Sequence, residues 1–438
     1  MAAMWLRHAA ALGSGLLVTA TATEDTSENV VYGHHLRPLW RLKAGYVNLN
    51  HGSYGAPPGT VLDRERAWQL EMEENPDFWF RYAGPGTLAG SLDGVRARLA
   101  QLIGAGAARD VVFVDGASGG VNAVLRSVRL PRNASVLYLN TAYQMVKNTM
   151  KYIHEHDEGE QPYEVNITIP SSNAEIVAAV SVALRQNPSV KLATFSHITS
   201  VPAIILPVRE LTQLCHQHGV MVMIDGAHAL GQIPVNVQDI GADFYVANGH
   251  KWLYGPKGSG ILWVAPDRQS LVHPNVISYE GRGATSFQME FEYTGTKDYS
   301  AFLAMGDALD FRAEVLGGEA SIMSYLHDLA TRGGDLLAEK FSTEKLTGDD
   351  FIAAMTNVRL PDTALACCAD GLSEKLLAVH GTWVPVFPYA GRCYIRVSAQ
   401  VYNDLSDFEF LAKAMLDVLK SERCSQTDPP SPTHNVQI

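Results

Sequence analysis

The feature that most constrains this chain is an alternation of short apolar runs with longer amphipathic stretches between about Asn50 and Val264. The runs fall at residues 111–114, 136–139, 191–197, 220–224, 244–247 and 260–264. Their lengths of four to seven residues and their Val, Ile and Phe content suit buried strands. Helical patterns lie between them at 88–103, 118–126, 143–154, 174–186 and 208–218. The last is framed by Pro207 at its first turn and Gly219 at its end, as helix boundaries prefer. Strands alternating with helices predict an α/β fold with a mostly parallel sheet covered on both faces.

Past Gly283 the pattern changes to helical stretches at 300–316 and 319–343, strand-like runs at 356–360 and 393–398, and a final helix at 404–420. We therefore expect a large domain over 31–298 and a smaller α+β domain over 299–423. Residues 1–30 read as an extension, either a targeting segment or a disordered one, and 424–438 as a disordered tail. The apolar stretch ending near Ala20 is shorter than the ~20 residues that span a bilayer, so no membrane anchor is expected. With 34 basic and 46 acidic residues the formal charge is −12, which disfavours nucleic acid as a partner. The five cysteines are scattered and form no C-x-x-C pair, so neither a disulfide framework nor structural zinc is expected. That pattern reads as a cytoplasmic, reducing-compartment enzyme, with mitochondrial or secretory targeting left open.

In open α/β sheets ligands sit beyond the carboxyl ends of the strands. Two such ends concentrate chemistry here. One carries Asp225-Gly-Ala-His228, the other Asn-Gly-His250-Lys251-Trp, 26 residues on from acid to lysine. A carboxylate at the end of an apolar strand is costly to bury unless it meets a cation. Glycines 249, 255, 258 and 260 crowd the lysine, as where backbone approaches something bulky. A third strand runs through Asp115-Gly-Ala117-Ser118-Gly-Gly into a helix, and its first amides are placed to hold an anion. Pyridoxal 5′-phosphate needs this combination: a lysine that condenses with its aldehyde, a carboxylate that keeps the ring nitrogen protonated, and backbone for the phosphate.

These segments resemble the aminotransferase class-V family of fold type I pyridoxal-phosphate enzymes over roughly residues 32–420. Within it they look most like the isopenicillin-N-epimerase-like branch, which also holds cysteine desulfhydrases and hercynylcysteine-sulfoxide lyases. The markers are Leu49-Asn50-His51-Gly52-Ser53-Tyr54-Gly55, Ser196-His197-Ile198-Thr199-Ser200, Asp225-Gly-Ala-His228, Asn248-Gly-His250-Lys251-Trp252, Tyr293-Thr-Gly-Thr296 and Tyr394-Ile-Arg396-Val-Ser398. The resemblance implies that Lys251 carries the cofactor and Asp225 pairs with its ring nitrogen. It places His228 by the ring's phenolic oxygen with Ser200 nearby, and Ala117, Ser118 and His250 at the phosphate. Tyr143 is implied to stack on the ring, and Thr296 to reach the phosphate from a second subunit of a homodimer. Arg396 is implied to grip the carboxylate of a small amino-acid substrate, with Asn50 and His51 lining the substrate side and Arg81 entering from the flank.

The reaction turns on which bond at Cα or Cβ breaks. Cysteine desulfurases of this family use a loop cysteine shortly before the carboxylate-binding arginine. Here Cys393 stands only three residues before Arg396, inside the apparent strand. The reading favoured is a C–S lyase acting on cysteine or a cysteine conjugate or sulfoxide, releasing pyruvate, ammonia and a sulfur product. An epimerase or aminotransferase is the alternative within the class, and a non-catalytic binding scaffold the alternative outside it.

Overall fold

The computed structural model describes residues 30–157, 161–278, 286–368 and 371–421. The extension expected at 1–30 (Val30 apart) and the tail expected at 424–438 lie outside the described residues. The first sheet is built from β1 (Val111–Val114), β2 (Ser135–Leu139), β3 (Tyr163–Val165), β4 (Val190–Ser196), β5 (Met221–Asp225), β6 (Phe244–Asn248) and β7 (Gly260–Val264). Its order is β1-β7-β6-β5-β4-β2-β3. The run from β6 to β3 is parallel, and β7 lies antiparallel to both β6 and β1. The mostly parallel sheet that the alternation predicts is therefore present. Val222, Met223 and Ile224 of β5 and Phe244, Tyr245 and Val246 of β6 are all 0% exposed, as strands covered on both faces must be. Burial of such side chains contributes roughly 1.5–3 kcal/mol each, so the two strands that carry the site are firmly anchored in the core.

The longer helices are α1 (Gly59–Glu74), α2 (Leu88–Leu102), α3 (Ala117–Ser127), α4 (Gln144–Asp157), α5 (Asn173–Gln186), α6 (Val208–Gln217), α7 (Ser300–Asp310), α8 (Glu319–Phe341) and α9 (Leu405–Ser421). A reciprocal capping box starts α5: the Ser172 hydroxyl accepts from the Glu175 amide while the Glu175 carboxylate accepts from the Ser172 amide. The pattern at 300–316 resolves into α7 followed by a π-helical turn over Phe311–Val315, which directs the buried Arg312 inward. A second, antiparallel sheet is ordered β8-β10-β9, from β8 (Met355–Arg359), β9 (Val386–Tyr389) and β10 (Arg392–Ser398). It is tied to the first layer through Asn357, whose amide group donates to the Ala203 carbonyl at 2.7 Å and accepts from the Ala203 N–H at 2.9 Å.

One expectation is corrected. Cys368 and Cys393 are joined in a disulfide with Cα atoms 5.7 Å apart, and Cys367 is disulfide-bonded too. Their sequence separation of 25 carries no spacing signal, and the pairing arises only because β10 runs beside the turn that follows Pro361. Among the described residues, no helix is long and apolar enough to cross a membrane.

Candidate active site

Strand register assembles the site. Ser196 of β4 pairs with Asp225 of β5, and Asp225 pairs with Val246 of β6, so these strands end side by side. Gly260 of β7 faces both Asn248 of β6 and Val114 of β1, which brings the turn after β1 against the turn after β6. That approach requires glycine: a Cβ on Gly260 would lie 2.8 Å from Gly116 Cα and 2.7 Å from the Ala247 oxygen. Gly116 itself sits at φ +141°, with room limited by Asn248 Oδ1 and the His250 ring. The result is a cavity of about 230 Å³ lined by Ala117, Ser118, Tyr143, Ser200, Asp225, His228, His250 and Lys251, among others. A single buried water needs only ~10–15 Å³ on this scale, so the space is that of a sizeable ligand.

At one end α3 points its N-terminus into the cavity. The Ala117 amide is fixed by Asn248 Oδ1 at 2.7 Å, and the remaining first-turn amides have no partner within the helix. His250 donates from Nδ1 to the Ser259 carbonyl at 3.2 Å, and burial pushes its pKa down to about 4, so the ring is neutral with Nε2 left over. At the other end Asp225, 5% exposed, accepts from the Ala227 amide at 3.0 Å. Burial raises its pKa, opposed by that hydrogen bond and by Lys251: the carboxylate is short of positive charge.

Lys251 Nζ stands 3.1 Å from His228 Nε2. The Trp252 indole N–H, which can only donate, points at His228 Nδ1 at 3.4 Å, so the proton of the neutral imidazole sits on Nε2 and faces the amine. Burial, and then the charge of Arg396, bring the Lys251 pKa down to about 7, which leaves a large neutral-amine fraction at physiological pH. Arg396, on β10, is 0% exposed and meets only neutral acceptors. It donates to Asn50 Oδ1 at 2.7 Å, to Ser53 Oγ at 2.8 Å, and to the Ser200 carbonyl and hydroxyl at 3.1 and 3.2 Å. Its Nε has no partner, and burial pushes its pKa down to about 10. A guanidinium buried among neutral acceptors, with one donor unpartnered, retains the capacity to bind an anion.

The described residues fit pyridoxal phosphate. Asp225, a buried carboxylate with no ion pair among the described residues, could pair with a protonated ring nitrogen; Lys251 lines the same cavity, and the Gly116 cradle, which a Cβ would fill, leads into the free amides of α3. Residues 86–411 match the family model for aminotransferase class-V. The chain belongs to the aminotransferase class-V family. Among its relatives is an L-cysteine desulfhydrase of Arabidopsis thaliana, 32% identical over 91% of this chain and 92% of that one. A hercynylcysteine sulfoxide lyase of Schizosaccharomyces pombe is 27% identical over 89% and 99% of the two chains. In fold, this class-V chain resembles the solved cystine C–S lyase C-DES in complex with its product cysteine persulfide. The TM-score is 0.72 at 19% identity, over 85% of this chain and 97% of that one.

Most of the residues singled out from sequence converge on this cavity or on Arg396, but three do not. His51 is 1% exposed and turned away: it donates from Nε2 to the Lys251 carbonyl at 2.9 Å, and its Nδ1 contacts the Tyr402 hydroxyl at 3.1 Å. Instead of lining the substrate side it holds the lysine's backbone. Arg81 is exposed and paired with Asp77 at 2.7 Å, outside the cavity of its own chain. Thr296 is exposed too, its hydroxyl on Tyr293. Sequence reasoning missed the parts played by Asn248, Ser53 and Trp252. All three stand inside the quoted motifs, and Asn248, at the end of β6, could have been found by the same strand-end rule that selects Asp225.

Proposed function

We propose that the chain is a pyridoxal-phosphate-dependent C–S lyase that eliminates the sulfur substituent of cysteine or a cysteine conjugate, giving pyruvate, ammonia and a thiol or sulfur acid. The observation that carries this reading is a buried guanidinium joined to the wall of the cavity that holds a buried amine: Ser200 lines that cavity together with Lys251 and accepts from Arg396. Arg396 would take a carboxylate, and the neutral amine of Lys251 a proton from the carbon beside it. When bound, the cofactor supplies an electron sink for the charge left at Cα. Asp225 would hold the ring nitrogen in its charged form, the α3 amides and Ser118 would hold the phosphate, and Tyr143, on the same cavity wall, would pack against the ring. His228 keeps its Nε2 proton at the lysine amine and would offer it to the ring oxygen, and Ser200 fixes the guanidinium that would orient the substrate. Correct placement of Cα–H against Lys251 Nζ is what this scaffold contributes to rate.

Elimination at Cβ needs no protein thiol, which suits the cysteines present. Cys368 and Cys393 are bonded to one another, and Cys215 is buried with its pKa pushed up to about 12. The named relatives that act on C–S bonds support the same choice over an epimerase or aminotransferase. Thr296, exposed beside the Lys297–Asp115 ion pair of 3.2 Å, is available to a second copy, so a homodimer is part of the proposal. Incubation of the holoenzyme with L-cysteine and with S-substituted cysteines, assayed for pyruvate, tests the function. Pyruvate with equimolar ammonia is expected; D-amino acid or amino-group transfer without pyruvate would overturn it.

A further inference from the structure

Arg312 is 0% exposed on the π-helical turn that follows α7, and it does not line the active cavity. Its Nε and Nη2 donate to the two carboxylate oxygens of Glu319, each at 2.5 Å, and its central carbon lies 4.9 Å from the Tyr254 ring centroid. Stability alone is a weak reason to bury a guanidinium, because apolar groups of similar volume often replace such a pair without loss. The remaining contacts point to another role. Nη1 donates to the Trp252 carbonyl at 2.7 Å, and Nη2 to the Gly231 carbonyl at 3.0 Å. Those carbonyls belong to the two loops that carry Lys251 and His228, so one rigid fork clasps both. The loops meet closely there: Gly231 stands at φ +84°, and a Cβ on it would lie 2.6 Å from the Trp252 oxygen.

What the clasp holds is the Trp252 side chain. Trp252 is 0% exposed, and its indole N–H donates to His228 Nδ1 at 3.4 Å. That contact keeps the proton of the buried His228 ring on Nε2, 3.1 Å from Lys251 Nζ. A bond of 3.4 Å is near the outer limit, so a small displacement of one loop against the other breaks it and frees the second tautomer. We propose that Arg312 is a positioning residue: by clasping the Gly231 and Trp252 carbonyls it holds the two loops in the register at which the Trp252 indole selects the His228 tautomer whose proton faces Lys251. The proposal rests on the reading that His228 and Lys251 serve the cofactor, and adds which buried group sets their relation from outside the cavity.

The test reads the His228 tautomer by NMR on the full chain, isotopically labelled in its histidine ring nitrogens, with and without added pyridoxal phosphate. His228 is identified by the signal lost in His228→Asn. Trp252→Phe removes the indole donor and keeps the carbonyl that Arg312 binds; Arg312→Lys keeps a charge for Glu319 and removes the fork; a third variant combines them. Wild type is expected to show one tautomer, protonated at Nε2. Each single variant should show both tautomers, and kcat for pyruvate release should fall roughly 10–100-fold with KM within about threefold, the pattern of a misplaced catalytic group. The double variant should lose little more than the worse single one, because both changes break one path. A His228 that stays in one tautomer in folded Arg312→Lys, or a double variant whose loss is the product of the two single losses, would overturn the proposal. Arg312→Gln is read the same way where the lysine variant does not fold, and failure of both to fold would make the residue structural and overturn the proposal too. The tautomer is read without turnover. If it responds as expected and no cysteine substrate yields pyruvate, the clasp stands and the lyase reading falls; pyruvate from a chain whose tautomer ignores both changes upholds the lyase and removes the clasp.

Discussion

Replacing Arg396 with alanine removes the group on which substrate orientation depends. The guanidinium is fully buried, its Nη atoms already bridge Asn50, Ser53 and Ser200, and its Nε has no acceptor. A substrate carboxylate would take charge-assisted bonds from this fork, each contributing about 1.5–3 kcal/mol. Two such bonds amount to ~3–6 kcal/mol, or roughly 10²–10⁴ in kcat/KM. Arg396→Lys keeps the charge but not the fork, so its loss should lie toward the lower end, near 10². The assay is pyruvate release coupled to a reducing dehydrogenase, with cofactor absorbance confirming that each variant is loaded. Because Arg396 does not touch the α3 amides or Asp225, cofactor content should stay near that of the wild type. A kcat/KM within about fivefold of wild type for Arg396→Ala would refute the assignment.

Three further outcomes follow from the same geometry. The folded-state pKa of Lys251 is depressed to about 7, so the amine is available as a base above that value and is protonated below it; kcat should fall about tenfold per pH unit on an acid limb beginning near pH 7, read from a pH–rate profile at saturating substrate. Asn248→Ala strips the Ala117 amide of its acceptor in a buried setting, at a cost of about 1–3 kcal/mol, which should lower Tm by several degrees and weaken cofactor affinity in a titration. Loss of the Cys368–Cys393 bond by Cys393→Ser, which frees a loop closed over a separation of 25 residues, should cost ~3 kcal/mol in chemical denaturation, and wild type under strong reductant, which also opens the Cys367 bond, should lose at least as much.

The central sheet was legible because burial on both faces forces nearly continuous apolar runs: β1 and β7 match their expected bounds, and β2, β4, β5 and β6 differ by a residue at one or both ends. β3 and β9, of three and four residues with partly exposed faces, carry too little pattern to announce themselves. Helix α1 was equally silent, since among its 16 residues only Val61 is buried and ion-pair and hydrogen-bond contacts such as Arg64 and Trp68 with Asp307 anchor it. Asp225 and Lys251 were readable because a charged group at the end of a buried strand demands a reason. His51 and Arg81 were not, because a motif gives the neighbourhood of a residue without the direction of its side chain. His51 turns its back on the cavity to hold the Lys251 carbonyl, and Arg81 stays on the surface with Asp77. The disulfide joins two elements brought together only by the antiparallel second sheet, a contact that spacing along the chain cannot foretell.

The central claim is that Lys251 bonds covalently to the cofactor aldehyde, with Asp225 beneath the ring nitrogen. Borohydride reduction of the native holoenzyme, followed by peptide mass mapping, tests it directly. The account predicts one pyridoxyl-phosphate adduct per chain, on Lys251, and its disappearance in Lys251→Ala. An active, fully loaded enzyme whose adduct mapped to another lysine, or that yielded no adduct at all, would contradict it.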